Sequence, residues 1–225
     1  MDSLRKLIAE IRDERETVQL WSHDIDGVSE YELVINGVFI MATYNALSSE
    51  LLVRIPVIQS SKPDLKILIG GLGLGFSVKE ACLSDSVRAI HVVELSKHII
   101  DINRSALRAL NGKYLEDRRV RVIHDDFVHY IEHTEIQYDI ICMDIDNGPM
   151  LLVKESNGEA YQPDFFRKIR RVLNSDGVYV IWSCNRDDAL LGDLKRVFLD
   201  CRVNDIFEQH QGKDIPYYLY VSSGE

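Results

Sequence analysis

Two aspartates, Asp144 and Asp146, follow the apolar run Ile140-Ile141-Cys142-Met143 and precede a turn-forming Asn147-Gly148-Pro149. Two carboxylates this close can hold an ammonium group. One of them can also take the proton from a nitrogen that attacks an electrophilic carbon. The non-chemical alternative is an Asx-type turn in which Asp146 and Asn147 bond the backbone. Upstream lies Ile69-Gly70-Gly71-Leu72-Gly73-Leu74-Gly75-Phe76. Its glycines, Gly70, Gly71, Gly73 and Gly75, let the backbone turn sharply and approach a ligand closely. Glu94 stands 19 residues beyond Gly75 at the end of another apolar run, where an acid can accept hydrogen bonds from ribose hydroxyls. A third run ends in His124-Asp125-Asp126-Phe127. A carboxylate there, Asp125 or Asp126, can accept from an adenine amino group, and one of the two is expected only to cap the following helix.

The glycine spacing narrows the nucleoside. The dinucleotide fingerprint needs a third glycine where this chain has Phe76 or Val78, and no phosphate-gripping GxxxxGK[ST] is present. Gly71-x-Gly73-x-Gly75 is instead the spacing typical of S-adenosylmethionine (AdoMet) sites. AdoMet is therefore the expected co-substrate.

These residues need elements to position them. Continuous apolar runs at 66–69, 89–94, 120–123, 140–143 and 178–182 suit strands buried on both faces of a parallel sheet. Helical spacing fills 77–82, 97–110, 126–133 and 163–173 between them. Strand–helix alternation of this kind predicts a doubly wound, Rossmann-like α/β domain over about residues 61–225, with ligands at the carboxyl ends of the strands. Residues 202–208 and 216–222 read as further strands, antiparallel to the rest. Ahead of this domain, residues 1–60 read as a smaller module. It has a helix over 2–16 capped by Asp2 or Ser3, a strand over 17–22, a turn at 24–27, a hairpin around Asn36-Gly37, and a helix over 45–58. Trp21, Tyr31 and Phe39 read as core of that hairpin. The loop 149–162, which carries Tyr161, is long enough to cover an acceptor.

Composition limits the partners. There are 36 acidic against 26 basic side chains, a formal charge of −10, which disfavours nucleic acid and suits a small cationic molecule. No stretch approaches the ~18 consecutive apolar residues of a membrane span. The first residues show no secretion signal. Four scattered cysteines without CxxC pairing read as reduced thiols, which points to the cytosol. His129-Tyr130-Ile131-Glu132-His133 fits the HxxEH metal pattern but has no evident third ligand, so no metal is expected.

From about residue 32 to 182 the chain resembles the spermidine synthase family of aminopropyltransferases. That family has the class I AdoMet-methyltransferase fold behind a small N-terminal β-domain. The family's Tyr-His-Glu segment matches Ser48-Ser49-Glu50, with Pro56 at the same offset, and its glycine loop matches Gly70 to Gly75. The resemblance assigns ribose binding to Glu94, adenine binding to Asp125 and amine handling to Asp144. Asp146 or Asn147 stands for the second acid of the family's Asp-x-x-Asp-Pro. Glu50, Asn147 and Tyr161 are the expected acceptor-binding residues. Three departures accompany it. Serines replace the Tyr and His, the Asp-x-x-Asp-Pro has become Asp-Ile-Asp-Asn-Gly-Pro, and the Asp of the family's Gly-Gly-Gly-Asp-Gly loop is missing. That loop Asp holds the bare ammonium of decarboxylated AdoMet, so its loss removes a preference for that donor. The expectation is therefore an AdoMet-dependent transferase acting on a small amine, with methyl transfer favoured. Aminopropyl or 3-amino-3-carboxypropyl transfer is the alternative, and a non-catalytic nucleoside-binding subunit a second. Family analogy also implies a possible homodimer.

Overall fold

The computed structural model describes residues 5–25, 27–150, 152, 155–210 and 212–224. Two sheets organise them. The first is an antiparallel meander of β1 (Lys6–Arg12), β2 (Thr17–Ile25), β3 (Val28–Ile35) and β4 (Val38–Ala42). Asn36 and Gly37 take φ of +51° and +80° between paired Ile35 and Val38, the conformation a two-residue hairpin turn requires.

The expected N-terminal helix is instead β1. Leu7, Ile8 and Ile11 satisfy helical spacing, but Ala9 and Ile11 also alternate, and it is these two that pack toward the core. Asp13 decides the competition. Its carboxylate accepts the N–H groups of Arg15 (2.7 Å) and Glu16 (2.9 Å), turning the chain so that residues 6–12 pair with β2. A pairing partner outweighs weak helix propensity. The expected caps Asp2 and Ser3, and Leu4 with them, lie outside the described residues, as does Asp26 of the next turn.

The larger sheet is built from α1 (Leu47–Gln59), β5 (Leu65–Gly70), α2 (Phe76–Cys82), β6 (Val87–Glu94), α3 (Lys97–Arg104), α4 (Arg108–Leu115), β7 (Val120–His124), α5 (Phe127–His133) and β8 (Tyr138–Met143). After these come α6 (Pro163–Val172), β9 (Leu173–Ser183), α7 (Asp188–Leu194), β10 (Asp200–His210) and β11 (Lys213–Ser223). The strand order is β10-β11-β9-β8-β5-β6-β7, with β5 to β9 parallel and β11 antiparallel to both its neighbours. The helix expected over 97–110 is broken at Ser105 into α3 and α4. Successive side chains of a strand point to opposite faces, so Ile67 and Ile69 of β5 enter one core and Leu68 the other. Both faces are covered, which is why these strands read as unbroken apolar runs. Among the described residues no helix is long and apolar enough to cross a membrane.

Candidate active site

The carboxyl ends of β5, β6, β7 and β8 open on a cavity of about 880 Å³ that reaches the small sheet. Its floor is the glycine loop. Gly71 N–H donates to Val93 O (2.9 Å), and Asp144 N–H donates to Gly70 O (2.9 Å). Loop and β8 end are thus pressed together: a Cβ on Gly71, at φ +93°, would stand 2.1 Å from the Asp144 carbonyl oxygen. Only glycine fits there, and the squeeze places the Asp144 side chain beside the loop.

Behind the loop lies a buried amide pair. Asn103 Nδ2 donates to Gly73 O (2.8 Å) and Ile99 O (3.0 Å). Asn111 Nδ2 donates to Asn103 Oδ1 (2.8 Å) and also to Leu74 O. These bonds draw the loop carbonyls away from the cavity. Asn103→Leu should cost about 1–3 kcal/mol, because two carbonyls lose a buried donor. Thermal melts measure that cost, and an unchanged melting temperature would remove the bracing role.

Glu94 is 5% exposed. Its two oxygens accept Leu72 N–H (2.8 Å) and Ser96 N–H (2.7 Å). Burial raises its pKa, while those backbone bonds work against the rise. Each oxygen keeps acceptor capacity for a hydroxyl. The β1–β2 turn adds a wall: Glu16 accepts from Ser96 Oγ, and Asp13 Oδ2 lies 3.0 Å from His98 Nε2. All four residues line the cavity.

Asp144, Asp146 and Asn147 line it together at the β8 end. Ser49 Oγ donates to Asp144 at 3.4 Å. Burial, reinforced by the charge of Asp146, pushes the Asp144 carboxyl up to about 7. Asp146 is 5% exposed. The Asn147 carbonyl accepts Cys184 N–H (3.1 Å), tying this turn to the end of β9.

Other expected residues are placed elsewhere. Asp125 does not line the cavity and pairs with His129 (3.0 Å). Its neighbour Asp126 does line it, and caps α5 by accepting Val128 N–H (2.9 Å) and His129 N–H (3.3 Å). Glu50 faces α2, paired with Lys79 (3.0 Å) and Arg54 (3.1 Å), while its neighbours Ser48 and Ser49 line the cavity. Tyr161 is buried behind the site, its pKa raised by burial and by the charge of Asp146. Residues 151, 153 and 154 of the loop expected to cover the acceptor lie outside the described residues. Phe39, expected in the hairpin core, is 43% exposed and lines the cavity.

Met41, Trp182 and Tyr217 were not found by sequence reasoning. Trp182 sits at a strand end, where the ligand rule for open sheets could have found it. Met41 and Tyr217 come from remote elements and carry no local signal. Met41 Sδ accepts Leu74 N–H (3.1 Å) and lies 2.4 Å from where a Cβ of Gly73 would be. The thioether thus occupies the space that a side chain at Gly73 would need.

The family described as spermine/spermidine synthase domain matches residues 45–191. The polyamine aminopropyltransferase of Erwinia tasmaniensis is 28% identical over 134 residues, 58% of this chain and 44% of the relative. Polyamine aminopropyltransferase 1 of Aquifex aeolicus is 28% identical over 149 residues, 66% of this chain and 51% of the relative. The chain spans about half the length of these curated relatives. A spermidine synthase solved in complex with the transition-state analogue AdoDATO superposes with a TM-score of 0.79 at 17% identity, covering 98% of this chain and 73% of that one. Spermidine synthase from Thermotoga maritima gives 0.78 at 16%, with the same coverage. These relatives correct the expectations of methyl transfer and of S-adenosyl-L-methionine as donor, since they are named aminopropyltransferases.

Proposed function

The chain belongs to the spermine/spermidine synthase family, and from that premise we propose that it transfers an aminopropyl group from decarboxylated S-adenosylmethionine to an amine. The observation that carries this reading is the half-buried Asp144 and the buried Asp146 together at the lip of the glycine-loop cavity, with Asp144 poised near neutrality. The donor's ribose lies against Glu94 and its sulfonium side chain toward Asp144. The amine, held by the two carboxylates, attacks the propyl carbon attached to sulfur. The N–C bond forms, the C–S bond breaks with its electrons going to sulfur, and methylthioadenosine leaves as a neutral thioether. The nitrogen becomes positively charged and releases its proton to Asp144.

A base with a pKa near neutrality both accepts that proton and returns it to water. Positioning supplies the rest, since donor carbon and amine meet in one cavity. The described cysteines are free thiols, which supports action in a reducing compartment such as the cytosol.

Incubation with decarboxylated AdoMet and a primary amine tests the reading. Methylthioadenosine should be released in step with an aminopropylated amine, seen by mass spectrometry. Release without amine modification, or no release from any amine offered, would sink it.

A further inference from the structure

The tip of the β1–β2 hairpin stands at the nucleoside end of the cavity, where Asp13, Arg15 and Glu16 line it beside Glu94 and Ser96. Arg12, Asp13, Glu14 and Arg15 are all exposed, so no apolar burial holds the tip in place. The strand behind it, β1, is an edge strand of the small sheet. Ala9 and Ile11 anchor that strand in the core to which Ile99 and Ile102 of α3 belong. Beyond Ile11 the tip meets the start of α3 through polar contacts. Ser96 Oγ donates to Glu16, and Asp13 Oδ2 lies 3.0 Å from His98 Nε2. Exposed contacts of this kind are weak, and segments without apolar contacts open most readily.

The turn itself is braced. Its Asp13 carboxylate accepts Arg15 N–H and Glu16 N–H, and Asp13 N–H donates to Glu16 O (3.0 Å). Just after it, Thr17 N–H donates to Asn36 Oδ1 (2.8 Å) and Asn36 N–H to Thr17 O (2.9 Å). These bonds pin the start of β2 to the β3–β4 turn. Residues 13–16 are thus one stiff piece between fixed ends.

We infer that residues 13–16 form a clasp, which opens to admit the nucleoside, closes over the ribose at Glu94 and sets the rate at which the product nucleoside leaves. This rests on the aminopropyl-transfer reading for the identity of that product, methylthioadenosine. Glu94 shows why a moving cover is needed. It lines the cavity yet is almost fully buried, bonded to Ser96 N–H, while Ser96 Oγ is tied to Glu16. Glu16 also stands near enough for its charge to raise the Glu94 pKa. Closure of the empty site therefore sets one carboxylate against another. Ribose hydroxyls placed between them donate to both, so the ligand binds the closed turn better than the open one. Only such a difference lets a ligand shift the equilibrium.

Hydrogen exchange on the full chain, followed by mass spectrometry with and without methylthioadenosine, tests the clasp. Exchange across residues 12–17 should slow about tenfold or more on binding, while Gly27, in the β2–β3 turn away from the cavity, stays unchanged. Stopped-flow kinetics then compare the unmodified chain with Glu16→Ala and His98→Ala, the second of which leaves the turn's own bonds intact. Each variant should release methylthioadenosine about tenfold faster with association no slower, since a clasp acts on departure. Exchange that ignores the ligand, dissociation unchanged in both variants, or affinity lost through slower association overturns the inference. Turnover on the same samples separates the two readings. Clasp behaviour without methylthioadenosine release from decarboxylated AdoMet and an amine overturns aminopropyl transfer and leaves the clasp standing. Normal turnover with unchanged exchange does the reverse, and an unmodified chain that does not bind methylthioadenosine overturns both.

Discussion

Asp144→Asn is expected to lower kcat by about 10²–10⁴-fold, the usual worth of a positioned general base. The amide keeps the size and the hydrogen-bonding reach of the carboxylate toward Ser49 but cannot take the proton that the proposed aminopropyl transfer releases. In the unmodified protein, activity should rise with pH through about 7, where burial and the charge of Asp146 have moved the Asp144 carboxyl. The sign is that of an acid whose folded pKa is raised: the protonated, inactive form persists to higher pH than for an ordinary aspartate.

The same shift has a consequence for stability. A carboxyl that prefers to stay protonated in the fold contributes stability fully below its unfolded pKa, and that contribution is lost as pH rises through the folded value. Asp144→Asn should therefore melt no lower than the unmodified protein at pH 8, because it removes a charge that the site resists. Kinetic profiles and thermal melts on both proteins check the pair of outcomes. A variant that keeps most of its turnover, or whose pH profile retains a step near 7, would remove Asp144 as the base.

Gly71→Ala is expected to abolish nucleoside binding and to cost about 3 kcal/mol or more in stability. Two penalties combine. A φ of +93° lies outside the regions an L side chain adopts readily. The new Cβ would also stand 2.1 Å from the Asp144 carbonyl oxygen, a backbone atom that no rotamer change can move aside. Relief requires the glycine loop to part from the end of β8. That breaks the bond from Asp144 N–H to Gly70 O and displaces both the glycine loop and the Asp144 carboxylate. Gly192→Ala is the control, since its Cβ would meet nothing within 4 Å and it lies inside α7, where alanine is favoured over glycine by about 0.5–1 kcal/mol. Calorimetry with methylthioadenosine and denaturation of both variants separate them. Gly71→Ala binding the nucleoside as tightly as the unmodified chain would mean that the loop does not contact it.

The parallel strands and the glycine loop were legible in the sequence because their signals are local. A strand buried on both faces must be apolar throughout, and a loop at such a strand's end must be glycine-rich if backbone is to approach both a ligand and β8. The place of Asp144, Asp146 and Glu94 followed from the rule that an open sheet binds ligands at strand ends. Local pattern failed at the N-terminus, where Leu7, Ile8 and Ile11 satisfy a helix and Ala9 and Ile11 a strand. The Asp13 turn and the pairing partner β2 settled it.

The sequence by itself determined the doubly wound architecture and the carboxylates at the strand ends that line the cavity, since each depends on residues close together in the chain. Only the tertiary structure decided which neighbours reach the cavity. It turned Glu50 toward Lys79 and Arg54, gave Asp125 to His129, and brought Ser49 to Asp144 from 95 residues away. It laid Met41 against the glycine loop from 33 residues away and closed Glu16 onto Ser96 across 80. Side chains adjacent in sequence differ in direction by a fraction of a helical turn or by a strand's alternation. Whether Ser49 or Glu50 faces the chemistry is therefore fixed by how α1 packs on the sheet, and that packing is chosen by the whole core.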